Sequence, residues 1–188
     1  DTNSGLVGPI IVTARGKANP DGSPKDVDRQ FVAMFSVLDE NKSALLADNI
    51  RRFTKLRGKA VEAALADEDF GESNLMHTIN GYGFNNLPGL RMRAGERVRW
   101  YVMGMGTEVD LHTPHWHGNT LLDMGMRTDV TGVLPMQMRV LDMVPENAGT
   151  WLFHCTVNDH LTAGMSSVYR VLPGRAGSAT AAAVGHRH

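Results

Sequence analysis

Apolar residues along this chain recur in short runs separated by Gly, Pro and Asn, which is the pattern of an all-β protein. Residues 30–38 are rich in aromatic and β-branched side chains and predict a first central strand. Further short strands are predicted at 76–79, 90–93, 96–103, 108–112, 115–122, 138–143, 150–155 and 165–172. Short strands at such regular spacing are typical of a β-sandwich or barrel.

Three stretches depart from this pattern. Residues 5–14 are almost entirely apolar and predict one strand, which a polar linker rich in Gly and Pro follows. The block 43–70 is rich in Ala, Leu, Lys and Glu and predicts a helical or irregular excursion. Residues 174–188 are rich in Gly, Ala and Ser, and we expect them to form a mobile tail.

Composition restricts the class of protein only moderately. The chain has 188 residues and a net charge of −1, so no global charge attracts it to nucleic acid or to an anionic membrane. No apolar run approaches the roughly 20 residues that span a bilayer, and the first residues lack the features of a signal peptide. A single cysteine excludes an intrachain disulfide framework.

That cysteine belongs to a group of residues suited to bind copper. Cys155 is followed by His160 and Met165, and His112 lies in a histidine-rich segment upstream. One thiolate, two imidazoles and a thioether are the ligand set of a blue-copper electron-transfer site. The sequence therefore predicts a copper site at these four residues, the alternative being a buried structural cysteine with surface histidines.

The remaining histidines predict a second metal site on the other face of the same strands. His115 and His117 are two residues apart and share a face in an extended segment, whereas His154 faces away from its neighbour Cys155. Three imidazoles suit copper, and they also suit zinc with an open fourth position. In either case, the missing ligands of this site would come from another domain.

Several stretches resemble the multicopper oxidases, and most closely the ceruloplasmin and hephaestin branch of that family. They include the motifs His112-Thr-Pro-His115-Trp-His117 and Trp151-Leu-Phe-His-Cys155. The other similar stretches are 26–41, 46–50, 72–81, 87–90, 100–106 and the loop that ends at Met165. The resemblance covers residues 26–172 and implies a cupredoxin fold, a Greek-key β-barrel or sandwich with one helical excursion.

The resemblance also implies a division of the chain. Residues 1–16 resemble the last strand of a preceding cupredoxin domain, 17–26 form a linker, 27–173 form the cupredoxin domain with type 1 copper, and 174–188 form the tail. We therefore expect a companion cupredoxin domain on another chain, fragment or subunit. A homotrimer is one such assembly, because two-domain relatives tend to be trimers. The expected location is extracytoplasmic, either secreted or periplasmic.

In this family the histidine motifs serve two copper centres. The resemblance implies that type 1 copper is held by His112, Cys155, His160 and Met165. It also implies a trinuclear cluster of type 2 and type 3 copper, which would be bound by His115, His117 and His154. Cys155 and His154 would then form the catalytic electron path between the two centres. Thr156 stands where the family has a further cluster histidine, so the chain departs from the pattern at one ligand.

The implied function is an oxidase that couples one-electron oxidation of a substrate to reduction of O2 to water at the interdomain cluster. The resemblance implies a substrate site at Glu72, His77 and Asp129. A metal ion such as Fe(II) or Mn(II) and a phenol, as in the similar two-domain laccases, are both left open as substrates. The alternatives are a one-copper electron carrier with a defective cluster and a non-enzymatic assembly domain.

Methionine is frequent in this chain, which has 11 of these residues. We interpret six of these residues as core fillers, with a cuprous-ion site as the alternative. They are Met76, Met103, Met105, Met136, Met138 and Met143.

Overall fold

Ten strands form two sheets that pack face to face in a computed structural model, which describes residues 1–106 and 110–174. The strands are β1 Arg29–Asp39, β2 Leu75–Ile79, β3 Arg91–Arg93, β4 Val98–Met105, β5 Pro114–Trp116, β6 Leu121–Asp123, β7 Met126–Thr128, β8 Met138–Met143, β9 Gly149–Cys155 and β10 Ser166–Leu172. One sheet has the order β2-β1-β4-β8-β6-β7, and the other has the order β3-β10-β9-β5. The predicted all-β sandwich is confirmed.

Helices occur mainly in one excursion between β1 and β2. They are α1 Leu46–Phe53, α2 Lys59–Leu65 and α3 Glu68–Ser73, and a fourth short helix, α4 Asn158–Thr162, follows β9. The side chain of Asp67 accepts a hydrogen bond from the Phe70 N–H and so caps the start of α3. The predicted helical excursion at 43–70 is thus confirmed. None of the described helices is long and apolar enough to span a membrane.

The core lies between the two sheets and is built around aromatic rings. Trp100 on β4 is fully buried, and its ring centroid lies 5.6 Å from that of Trp116 and 5.2 Å from that of Phe153. Phe153 and Cys155 alternate with His154 along β9, so Cys155 faces the core while His154 faces away from it. The core therefore fixes the strand that carries the only cysteine.

The predicted strand at 5–14 is wrong, because these residues form no strand in the structure. A strand needs a neighbour to accept its hydrogen bonds, and β1, β4 and β8 are already paired with one another. The segment instead lies over the outer face of these strands, next to Tyr101 and Val140. Its apolar side chains stay in contact with solvent, since Ile10 is 90% exposed.

Smaller differences concern the strands near the histidine motif. The predicted strand 108–112 includes residues 108 and 109, which lie outside the described residues, and His112 makes only an isolated bridge with Val133. The predicted strand 115–122 is divided into β5 and β6 by a turn at Gly118, where φ is +74°. The tail from residue 175 onward also lies outside the described residues.

The interpretation of the methionines as core fillers is correct for some of them only. Met103 and Met143 are buried, as predicted. Met76 on β2 and Met138 on β8 are 39% and 59% exposed, because their strand positions point away from the space between the sheets, and Met136 is 65% exposed in the turn before β8. For these three the prediction is wrong.

Candidate metal centres

The first candidate centre consists of His112, Cys155 and His160. The Nδ1 atoms of His112 and His160 are 3.2 Å apart, and the Cys155 Sγ lies 3.6 Å from the His160 Nδ1. All three potential ligand atoms lie within 4.8 Å of one another, and all three residues are buried. Two imidazole nitrogens that bind one metal ion at ordinary bond lengths stand roughly 3.3 Å apart. The donor set therefore fits a single ion.

Hydrogen bonds orient the ligand atoms of this centre. The His112 Nε2 lies 3.2 Å from the Met105 carbonyl oxygen and donates to it, which leaves the Nδ1 lone pair for a metal. Burial lowers the pKa of His112 to about 4 and lowers the pKa of His160 as well. Both imidazoles are consequently neutral at pH 7, which is the form that binds metals.

The position of Met165 is set by the backbone of two of these ligands. The Cys155 N–H donates to the Met165 carbonyl at 3.1 Å, and the Met165 N–H donates to the His160 carbonyl at 2.9 Å. The Met165 side chain is fully buried. A thioether beside a Cys and two His ligands is the usual weak axial ligand of blue copper. Met165 as the axial ligand stays a prediction.

The second candidate centre consists of His115, His117 and His154, on the opposite face of the β5–β9 pair. The His154 Nε2 lies 3.3 Å from the His115 Nδ1 and 3.0 Å from the His117 Nε2. The His154 Nδ1 donates to the Cys155 carbonyl at 2.8 Å, so the Nε2 is the atom left for a metal. Strand alternation thus separates the six side chains into two groups that could each hold a metal ion.

Asp129 lies beside this second group and not beside Glu72 and His77. Its Oδ2 is 3.5 Å from the His115 Nε2, and its backbone carbonyl accepts a hydrogen bond from the Trp116 N–H at 2.8 Å. A carboxylate behind a histidine fixes the ring and leaves the other nitrogen for the metal. Asp129 is therefore placed to orient His115, and its role in a substrate site stays a prediction.

Thr156 has an exposed side chain that does not join the three imidazoles in a ligand group. Its hydroxyl is hydrogen-bonded to the Thr113 hydroxyl, and its backbone N–H donates to the Thr113 carbonyl at 3.0 Å. Within the described part of the chain, the second group is thus made of three imidazoles only.

Glu72 and His77 line one cavity of about 630 Å³, together with Asp69, Tyr82 and Phe84. The ring of His77 lies 5.2 Å from the ring of His160, a ligand of the first centre. Burial lowers the pKa of His77, while the negative charges of Glu72, Asp110 and Asp159 act in the opposite direction.

Asp110 and Asp159 are thus acidic residues near His77 that the sequence analysis missed. For Asp159 the signal was its place directly before His160, because a residue next to a candidate metal ligand is held close to whatever surrounds that ligand.

Comparisons with known proteins identify the family of this chain. The sequence model of the multicopper oxidase family matches residues 61–175. Hephaestin from Rattus norvegicus is 45% identical over 175 residues, which cover 91% of this chain and 15% of hephaestin. Ceruloplasmin from Homo sapiens is 41% identical over 171 residues, which cover 91% of this chain and 16% of ceruloplasmin. The chain thus spans about a sixth of the length of these relatives.

Solved structures of multicopper oxidases share the fold. One superposes with a TM-score of 0.54 at 17% identity and covers 80% of this chain and 46% of its own. A multicopper oxidase from Campylobacter jejuni, described as a metallo-oxidase, has a TM-score of 0.52 at 16% identity, covering 81% of this chain and 31% of its own. The cupredoxin-type sandwich is therefore confirmed. With the family model matching more than half of its length, the chain belongs to the multicopper oxidase family, and copper is the metal implied for its histidine and cysteine groups.

Proposed function

We propose that this chain is the domain of a multicopper oxidase that takes up electrons from the reducing substrate. Its type 1 copper would be held by His112, Cys155 and His160, with Met165 as the axial ligand. The observation that carries this proposal is the convergence of two Nδ1 atoms and one Sγ within 4.8 Å in a buried site. Copper bound there supplies a one-electron acceptor.

The second group would contribute His115, His117 and His154 to a trinuclear cluster of type 2 and type 3 copper at which O2 is reduced to water. Its three ligands are on the side of β9 away from the core, so a companion cupredoxin domain has access to them. That domain would belong to another chain, a fragment or a second subunit, as in a homotrimer. Cys155 and His154 are adjacent in the chain and so join the two groups covalently.

For the reducing substrate we propose a divalent metal ion such as Fe(II), bound in the cavity at Glu72 and His77. Carboxylate and imidazole ligands suit a hard or borderline ion. Asp159 replaces Asp129 in this proposal, because its charge acts on His77 while Asp129 contacts His115. The 5.2 Å separation of the His77 and His160 rings gives the electron a short route from the cavity to the first centre.

Rates of reduction by Fe(II) test this assignment. Glu72→Gln and Asp159→Asn should each slow the Fe(II)-driven bleaching of the oxidised protein, followed by stopped-flow absorption, by roughly tenfold or more. Glu62→Gln, on the neighbouring helix α2, is the control and should leave the rate unchanged. Equal slowing of bleaching by hydroquinone would contradict a metal-ion site and favour a phenol as the substrate.

One observation favours a second candidate, a one-copper electron carrier. Thr156 stands at the position where the family has a cluster histidine, and its hydroxyl is bonded to Thr113. A hydroxyl is a poorer copper ligand than an imidazole. Counting copper per chain and measuring O2 uptake, in protein that includes the companion domain, separates the candidates. One copper without O2 uptake selects the carrier, and O2 uptake gained by Thr156→His would identify the missing ligand.

A further inference from the structure

Thr113 lies between the Cys155 sulfur and Thr156. The Thr113 N–H donates to the Cys155 Sγ at 3.3 Å, and the Thr113 Oγ1 is 3.9 Å from the same sulfur. On its other side, the Thr113 Oγ1 is 2.5 Å from the Thr156 Oγ1 and accepts a hydrogen bond from the Thr156 N–H at 3.2 Å. The Thr113 hydroxyl thus contacts the Cys155 sulfur, the Thr156 hydroxyl and the Thr156 N–H.

The donors and acceptors of these groups allow a chain of hydrogen bonds that runs from Thr156 to Cys155. A threonine hydroxyl has one proton and two lone pairs, and one lone pair of the Thr113 Oγ1 accepts from the Thr156 N–H, which also donates to the Thr113 carbonyl at 3.0 Å. A deprotonated sulfur is an acceptor only, so the Thr113 hydroxyl can donate to Cys155 but cannot accept from it. With the Thr113 proton on that side, the second lone pair of the Thr113 Oγ1 accepts the proton of the Thr156 hydroxyl.

We propose that Thr156 and Thr113 form a hydrogen-bond relay that ends on the Cys155 thiolate and raises the reduction potential of copper held there. The inference rests on the proposed type 1 copper site. Thr156 is thereby a positioning residue for the first centre, although the motif places it at a ligand position of the second. The relay is specific to a residue with a short hydroxyl side chain at this position.

The physical effect follows from charge. Hydrogen bonds around the cysteine sulfur are one of the factors that set the potential of a blue-copper site. A donor stabilises negative charge on the sulfur, so the sulfur gives less electron density to the metal and the reduced form becomes easier to reach. Linked hydrogen bonds polarise one another, and the Thr156 hydroxyl therefore strengthens the bond that Thr113 makes.

Three variants separate the relay from simple packing, with potentials measured by redox titration under anaerobic conditions. Thr113→Val keeps the shape and the backbone donor but removes the hydroxyl, and it should lower the potential by about 59 mV, a tenfold change for one electron. Thr156→Val should lower it in the same direction by less. Thr156→Ser, which keeps the hydroxyl, should leave it unchanged. Thr162→Val, on α4 next to the site, is the control without contact to the sulfur.

A second measurement needs no variant that perturbs the fold. In the diamagnetic Cu(I) form, the Thr113 hydroxyl proton should give a resonance protected from exchange with water, and Thr156→Val should remove that protection. A potential of Thr113→Val equal to that of Thr162→Val would overturn the relay, as would a Thr156→Ser shift as large as that of Thr156→Val. Absence of a blue absorption band from the unaltered protein would instead overturn the copper site itself.

Discussion

At the scale of single residues, burial prepares His112 to bind a metal. The side chain has no exposed surface, and this desolvation lowers its pKa to about 4. The hydrogen bond from its Nε2 to the Met105 carbonyl then decides which nitrogen is free. A neutral, oriented imidazole thus exists before any metal binds. Because burial disfavours the protonated form of His112, the free energy of unfolding depends on pH.

We predict that the copper-free protein loses stability as the pH falls from 6.5 to 4. The unfolded chain protonates His112 near its ordinary pKa of 6.5, whereas the folded chain does so only near 4. The unfolded state therefore binds more protons in this window, and His112 alone should lower the free energy of unfolding by roughly 3 kcal/mol across it. Urea unfolding at pH 7 and at pH 4 measures the loss.

The control for this prediction is His112→Gln, which should lose less free energy of unfolding over the same pH interval. The acidic groups that titrate in this range are the same in both proteins. The difference between their two losses of free energy of unfolding therefore reports the protonation of the His112 imidazole alone. Equal losses in the two proteins would contradict the account of His112.

The ligand groups could be predicted from sequence because they follow from local rules. Side chains alternate along a strand, so the spacing of His112, His115 and His117 already sorts them onto two faces. The contact of Asp129 with His115 could not be predicted, because it depends on an isolated bridge between His115 and Val130 that closes across β6 and β7. The place of Asp159 near His77 could not be predicted either, because these residues are far apart in the sequence and meet only in the folded chain.

At the scale of elements, the pairing of β5 with β9 brings the two motifs together. Pro114 lies opposite Cys155, His115 opposite His154 and Trp116 opposite Phe153. A slip of one residue would place His115 opposite Cys155 and exchange the two faces. The sequence predicts both strands but not this register. It also missed α4, since five residues are too few to show a helical period.

Gly118 ends the histidine motif and allows the turn that follows β5. Its φ of +74° is unfavourable for other residues, and a Cβ there would lie 2.4 Å from ring carbons of Trp151. We predict that Gly118→Ala lowers the free energy of unfolding by roughly 3 kcal/mol and weakens metal binding at His117. Thermal unfolding and metal titration of the variant measure the two effects.

Gly125→Ala is the matched control for the clash with Trp151. Gly125 has a φ of +84°, but no atom lies within 4 Å of the position where its Cβ would be. It should therefore lose only about 1 kcal/mol, the cost of a left-handed residue. If both variants lost the same free energy of unfolding, contact with Trp151 would have no part in holding the turn.

At the scale of the whole molecule, the chain leaves an apolar segment uncovered. Ile10 and Val12 are 90% and 86% exposed on the segment that was predicted to be a strand. The apolar pattern predicts a strand here, which the structure does not form. We propose that the companion domain covers this segment.

We predict that replacing both Ile10 and Val12 by Asp leaves the thermal unfolding of this chain within about 0.5 kcal/mol, because exposed side chains contribute little to stability. The same change should abolish association with the companion domain, as measured by sedimentation velocity. Phe53→Asp, at an 80% exposed position on α1, is the control and should leave association intact. Association unaffected by the double substitution would show that this segment is not the interface.

The central claim is that His112, Cys155 and His160 hold one type 1 copper, and titration with Cu(II) followed by visible absorption tests it most directly. Copper at this site should give an intense visible band that saturates as the site fills, because the cysteine sulfur donates charge to Cu(II). Cys155→Ser should fold and show no such band. A colourless copper-loaded protein, or a band that survives in Cys155→Ser, would contradict the claim.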